Sequence, residues 1–147
     1  MRLLLLLLLS LSLPVMAAEP VLRPAPILPQ EQCWMSPPQV PGLSAAWLLG
    51  SEQGSAAYAL RVKLAPGTRI PVHTHPDTRS TTVLSGTLYV GFGAQFDESA
   101  LVAIPAGALY VAPAGVAHYL WAKDGEVLYQ ENGFGPTATR MQVPAVH

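Results

Sequence analysis

Three histidines stand at spacings that can hold a divalent metal ion. His73 and His75 are two residues apart, and on a β-strand side chains i and i+2 leave the same face, so both imidazoles can converge on one point. Imidazole is the commonest protein ligand of the borderline transition metals. The chemistry on offer is therefore coordination of a divalent Zn, Fe, Mn, Ni or Cu ion, whose open positions would accept water or a small molecule. A third histidine, His118, follows Pro113-Ala114-Gly115, a tight turn that aims the chain back on itself. A lone His-x-His pair is weak; the third ring behind a glycine-supported turn turns it into a candidate site.

For rings from such distant stretches to meet, both stretches must be strands of one body. Fifteen prolines and 12 glycines in 147 residues rule out long helices. Half the residues are apolar and only 12% are charged, which excludes wholesale disorder and leaves one packed domain. Tyr58, Leu60, Val62 and Leu64 alternate with Ala59, Arg61 and Lys63, the period of two that marks a half-buried strand. Turn signals recur at Ser51 to Gly54, Pro66-Gly67, Ser85-Gly86, Pro105 to Gly107, Pro113 to Gly115 and Asp124-Gly125. A last strand is expected over Val127 to Gln130. Short apolar runs punctuated in this way predict an all-β sandwich or barrel.

The stretches 65–86 and 107–122 resemble the two motifs of the cupin superfamily, G-x5-H-x-H-x3-E-x6-G and G-x5-P-x-G-x2-H-x3-N. Gly67, His73, His75 and Gly86 fit the first; Gly107, Pro113, Gly115 and His118 fit the second. The resemblance covers residues 67–122 by motif and most of 44–133 by strand pattern. It implies a double-stranded β-helix, the jelly-roll barrel, with a metal held inside by the motif residues and commonly a homodimer.

Two motif positions depart from that pattern. Arg79 stands where the family has its ligand glutamate, and Ala122 where it often has asparagine. Three neutral imidazoles leave the +2 of an ion uncompensated, and a guanidinium 4 Å from it would be repelled by about 8 kcal/mol at an effective dielectric of 20. Three outcomes follow. Arg79 turns outward and pairs with Asp77; or it stays in the pocket while a bound anion bridges it to the metal; or the metal is lost and the histidines with Arg79 form an anion pocket.

Leu120 and Ala122 share parity with His118 and should line the interior, whereas Tyr119 and Trp121 should face a second layer or a dimer contact. Gln130 is a candidate to reach the pocket as a neutral hydrogen-bonding group. Asp97 and Glu98 read as a solvated turn. No carboxylate accompanies the histidines in sequence as an evident general base. Gly91 and Gly93 lack the strand, turn and helix of a nucleotide fingerprint, and Ser80 and Ser85 lack a nucleophile elbow. No basic run suits nucleic acid: eight Lys and Arg face nine Asp and Glu.

Residues 1–18 carry Arg2, an apolar run from Leu3 and small residues at Ala17 and Ala18. They read as a secretory signal peptide, too short and too Pro-interrupted for a stable membrane anchor, so the mature protein is expected to be periplasmic or secreted. Residues 19–41 contain seven prolines and read as an extended arm; residues 42–147 form the barrel. Cys33, the single cysteine, allows no internal disulfide and is expected to be buried or unreactive. The functional expectation is an exported protein that binds a divalent metal through His73, His75 and His118. It would also bind a small anionic organic ligand with Arg79 and Gln130 at hand, either as a dioxygenase-, decarboxylase- or isomerase-type enzyme or as a non-catalytic ligand-binding or sensing protein, which need not hold a metal.

Overall fold

The alternating run around Leu60 and Val62 forms β2 (Ala57–Leu64) in the computed structural model, which describes residues 26–142. Its neighbours in chain order are β1 (Leu43–Leu49), β3 (Arg69–Thr74), β4 (Arg79–Ser85), β5 (Thr87–Phe92), β6 (Val102–Pro105), β7 (Leu109–Ala112), β8 (His118–Trp121), β9 (Val127–Phe134) and β10 (Arg140–Met141). They build two five-stranded antiparallel sheets, ordered β1-β2-β9-β4-β7 and β10-β3-β8-β5-β6. Consecutive strands mostly fall in opposite sheets or across them, the winding of a jelly roll.

The inward residues of both sheets form one core. Val62, Leu64, Val83, Val127 and Tyr129 from the first meet Ile70, Leu88, Val90 and Leu120 from the second, with Ala122 just beyond β8. Burial of each larger apolar side chain contributes about 1.5–3 kcal/mol. The expected turns lie between the strands, and at Gly86 the backbone demands glycine. Its φ is +76°, and a Cβ there would sit 2.3 Å from the Glu126 carbonyl oxygen.

The last long strand runs four residues past the expected end at Gln130, because Glu131 to Phe134 continue the pairing with β2 as far as Ala57↔Phe134. The polar pair Glu131-Asn132 and the following Gly133 hide this extension in sequence. β10, which pairs with β3 through Met141↔His73, was not expected at all; so short a ladder carries no periodicity.

The signal peptide at 1–18 and the first part of the arm lie outside the described residues. The rest of the arm lies on its own barrel: Met35 and Ala45 exchange backbone bonds of 2.8 Å, Lys63 stacks over Trp34, and Val40 is buried. Cys33 corrects the expectation of burial. Its thiol is exposed, held only by a long contact to the Glu31 carbonyl, because the arm turns there through a 3₁₀ helix at Pro29–Glu31 whose residues bury nothing. Among the described residues no helix is long and apolar enough to cross a membrane.

Candidate metal centre

His73 is the penultimate residue of β3 and His118 opens β8, and the two are direct cross-strand partners. The Gly115 amide donates to the His75 carbonyl at 2.8 Å, which ties the second-motif turn to the first-motif strand. Pairing and tie bring all three rings together. Their centroids lie 4.2 to 5.1 Å apart, and one ring nitrogen from each falls within 4.8 Å of the others. Nitrogens sharing a tetrahedral ion would lie about 3.4 Å apart, so the rings already stand within about 1.4 Å of the spacing an ion would need.

Each ring is anchored the same way. His73 Nδ1 donates to Pro71 O at 2.7 Å, His75 Nδ1 to Ala138 O at 2.8 Å and His118 Nδ1 to Val116 O at 3.0 Å. A carbonyl only accepts, so Nδ1 carries the proton and Nε2 keeps its lone pair in all three. Burial pushes His73 down to about 4, helped by the charge of His118, and His75 down to about 3, helped by Arg79; burial lowers His118 as well. At neutral pH the three are neutral ligands. His75 Nε2 is sealed from solvent and bonds to nothing, a state that costs about 1–3 kcal/mol for a buried polar atom unless something takes the lone pair. This donor set fits a divalent transition metal.

Arg79 points inward and is only 4% exposed. Nη1 donates to Glu131 Oε2 at 2.8 Å, and Nη2 to Asp77 Oδ1 at 3.1 Å and to Thr137 Oγ1. Thr137 in turn donates to Asp77, and the Tyr58 hydroxyl donates to Asp77 Oδ2 at 2.6 Å. The expected pairing with Asp77 is present, but inside rather than outside. Glu131 is a second carboxylate on the guanidinium, supplied by the chain itself. Burial raises the Asp77 carboxyl, but bonds from Thr137 and Tyr58 and the charge of Arg79 outweigh that and hold it below the usual range. For Glu131 burial prevails over the pull of Arg79, and its carboxyl is raised.

Gln130 needs correcting. On β9 the residues Val127, Tyr129 and Glu131 face inward, and Gln130 lies on the outer face, where Oε1 accepts from Arg61 Nη2 at 2.7 Å and Nε2 donates to Asn132. Glu131, its neighbour, is the residue missed: distant from the histidines in sequence, it lines the same cavity as His73 and His75. The signal was present: the parity of Val127 and Tyr129 puts position 131 inside.

A cavity of about 530 Å³ opens beside the cluster. His73, His75, Arg79, Glu131 and Thr137 form its polar end; Leu43, Trp47, Leu60, Val62, Leu120 and Tyr129 are among its apolar walls, with Val40 of the arm and Met141 of β10 at its margin. Tyr119 and Trp121 face away, as expected, into a second layer of the chain itself. The Tyr119 hydroxyl donates to Asp97 O at 2.9 Å under the Phe96 ring, and Arg69 stacks on Trp121 at 3.9 Å. Asp97 caps the short 3₁₀ helix Glu98–Ala100 through Ser99, a structured form of the expected turn.

Comparison with known proteins agrees with this arrangement. A family model described as a Cupin domain matches residues 60–129. Germin-like protein 5-1 of Oryza sativa subsp. japonica is 39% identical over 67 residues, 44% of this chain and 29% of that protein. Germin-like protein subfamily T member 2 of Arabidopsis thaliana is 34% identical over 61 residues, 41% of this chain and 28% of that protein. The chain thus spans less than half the length of the curated relatives it matches. Among solved structures, the polyketide cyclase RemF from Streptomyces resistomycificus superposes with a TM-score of 0.70 at 12% identity, covering 84% of this chain and 88% of that one. The DMSP lyase DddQ from Ruegeria pomeroyi DSS-3 gives 0.65 at 17%, covering 80% and 64%. At these identities the likeness is one of fold.

Proposed function

The chain belongs to the cupin superfamily, and from that premise we propose that it holds a divalent transition-metal ion with His73, His75 and His118 and binds a small organic molecule in the adjoining cavity. The observation that carries this reading is the buried, unpartnered Nε2 of His75 in a cluster whose three Nδ1 atoms are all spent on carbonyls. When bound, the ion would supply Lewis acidity or oxygen activation through its open positions. The chain's own part is to fix the rings through their carbonyl anchors, to exclude water with the apolar walls, and to present Glu131 at the polar end as a proton acceptor.

Charge also bears on the ligand. Asp77 and Glu131 against Arg79 leave one negative charge on the wall, so a divalent ion brings the site to one positive charge, which a monoanionic ligand balances. The ion, not Arg79, is then the anion's partner, and Arg79 acts through Glu131 as a positioning residue. Turnover of dioxygenase, decarboxylase or isomerase type is the leading use of such a site. Binding or sensing without turnover is the second reading, favoured by one observation: the position of the family's carboxylate ligand is taken by Arg79, and Glu131 is already engaged with it.

Elemental analysis of untagged protein purified without chelator tests the metal. About one equivalent is expected, lost in His73→Ala and His118→Ala. Metal-free protein whose melting temperature is indifferent to added zinc, iron or manganese overturns the proposal. Export is proposed from the apolar leader; expression with the leader intact should give a mature chain starting near Glu19 in the periplasm or medium, and an intact Met1 terminus counts against it. The homodimer is proposed on the outer face of β4 and β7, where Leu84, Leu109 and Val111 are exposed. A monomer in sedimentation at micromolar concentration refutes it.

A further inference from the structure

The polar end of the cavity holds one acceptor that the protein leaves open. Glu131 is 5% exposed and lines the cavity, and only its Oε2 is engaged, by Arg79 Nη1 at 2.8 Å. Oε1 receives no hydrogen bond from the described residues, yet it is not among the polar atoms sealed away from any partner. Its one open side is the cavity. The carboxylate cannot swing away, because Arg79 is itself fixed by Asp77 and Thr137, and Asp77 by Tyr58. The rest of the lining is mostly apolar, with Leu43, Trp47, Leu60, Val62 and Leu120 among it, and its one other charged residue, Glu52, is solvent-exposed.

We propose that Glu131 Oε1 is the specificity-determining acceptor of this cavity, and that it selects molecules with an apolar, ring-sized body carrying a hydroxyl or N–H donor. The inference rests on the proposed reading of the cavity as a small-molecule site, and it adds the class of molecule. An acceptor fixed in an apolar enclosure discriminates strongly. A ligand with a donor completes its hydrogen bond, whereas an isostere without one displaces water from a carboxylate and gives nothing back. The volume of about 530 Å³ admits a bicyclic ring with substituents.

Indole, its carbon-methylated analogue skatole, and N-methylindole separate the donor from size. Binding to the full-length protein as purified is measured by titration calorimetry, with metal content determined on the same sample. Indole and skatole are expected to bind about tenfold or more tightly than N-methylindole. In Glu131→Gln the amide oxygen faces Arg79 and the amide nitrogen, a donor, faces the cavity, so the gap should fall below about twofold. The double variant Arg79→Met/Glu131→Leu removes acceptor and partner together, leaves Asp77 its bonds from Thr137 and Tyr58, and should also lose the gap while folding. Equal binding of the three molecules, no binding of any of them, or a gap that survives either variant overturns the inference. A gap seen in protein that carries no metal and whose melting temperature is indifferent to added zinc, iron or manganese would leave this assignment standing and defeat the metal reading alone; metal without a gap does the reverse.

Discussion

At the scale of single residues, the exchange at position 79 decides the electrostatics of the site. A guanidinium there would repel an ion, and the chain answers with two carboxylates, one two residues away and one 52 positions on in β9. Asp77 could be named from the sequence as a partner because it is local. Glu131 lies one residue beyond the strand expected over Val127 to Gln130, where only the parity of Val127 and Tyr129 marks it as inward. The consequence can be tested by Arg79→Glu. Three carboxylates would then share a buried space with no cation, and at an effective dielectric of 20 each like-charge contact at 4 Å costs about 4 kcal/mol. Stripped of metal, this variant should melt at least ten degrees lower than the parent protein, by about 2 kcal/mol or more of lost stability. Zinc should restore much of that, because the added charge favours a cation. A variant as stable as the parent after chelation would mean that Arg79 and Glu131 do not share an interior.

At the scale of elements, strands were legible wherever apolar and polar residues alternate over a full run, as in β2, and turns wherever glycine and proline cluster. What escaped was pairing between distant segments: β10 on β3, and the segment Thr137–Ala138 that supplies a hydroxyl to Arg79 and a carbonyl to His75. No local periodicity encodes such contacts. Two glycines show how elements divide stability from site geometry. Gly86, with a positive φ and the Glu126 carbonyl where a Cβ would go, has no bond to the histidines, so Gly86→Ala should cost about 2–4 kcal/mol in thermal unfolding and leave metal stoichiometry unchanged. Gly115 has φ of +74° but open space around it, so Gly115→Ala costs only about 1 kcal/mol of backbone strain. Its amide, however, ties the turn before His118 to His75. An alanine relaxing from that positive φ would shift the amide that makes this tie, so metal affinity should fall about tenfold, as for other supports of ligand orientation. Measured melting and competition with a colorimetric chelator give both numbers; a Gly115→Ala protein that binds metal as well as the parent would show that the tie does not position the rings.

At the scale of the whole molecule, fold and site constrain each other through pH. The barrel buries three imidazoles in the neutral form, and burial holds His73 near 4 and His75 near 3. In the unfolded chain each returns to its ordinary value near 6.5. Between pH 6.5 and 4 the unfolded metal-free chain therefore binds more protons than the folded one, and stability must fall as pH falls. Glu131 acts in the opposite sense: its raised carboxyl takes up a proton in the folded state first, which favours folding as the solution is acidified. Asp77, held low, begins to matter only below its ordinary carboxylate range. Two or three histidines outweigh one glutamate, so the net slope follows the imidazoles, at about 1.4 kcal/mol per pH unit for each proton. Denaturant unfolding of the chelated protein should show maximal stability above about pH 7 and a steady loss from there to pH 4. Replacing His73 and His75 together by Asn should flatten the profile over the same interval, since the amide keeps much of the shape without the proton site. A parent profile already flat from pH 6.5 to 4 would mean that these rings titrate as they do in water, and that the barrel does not enclose them.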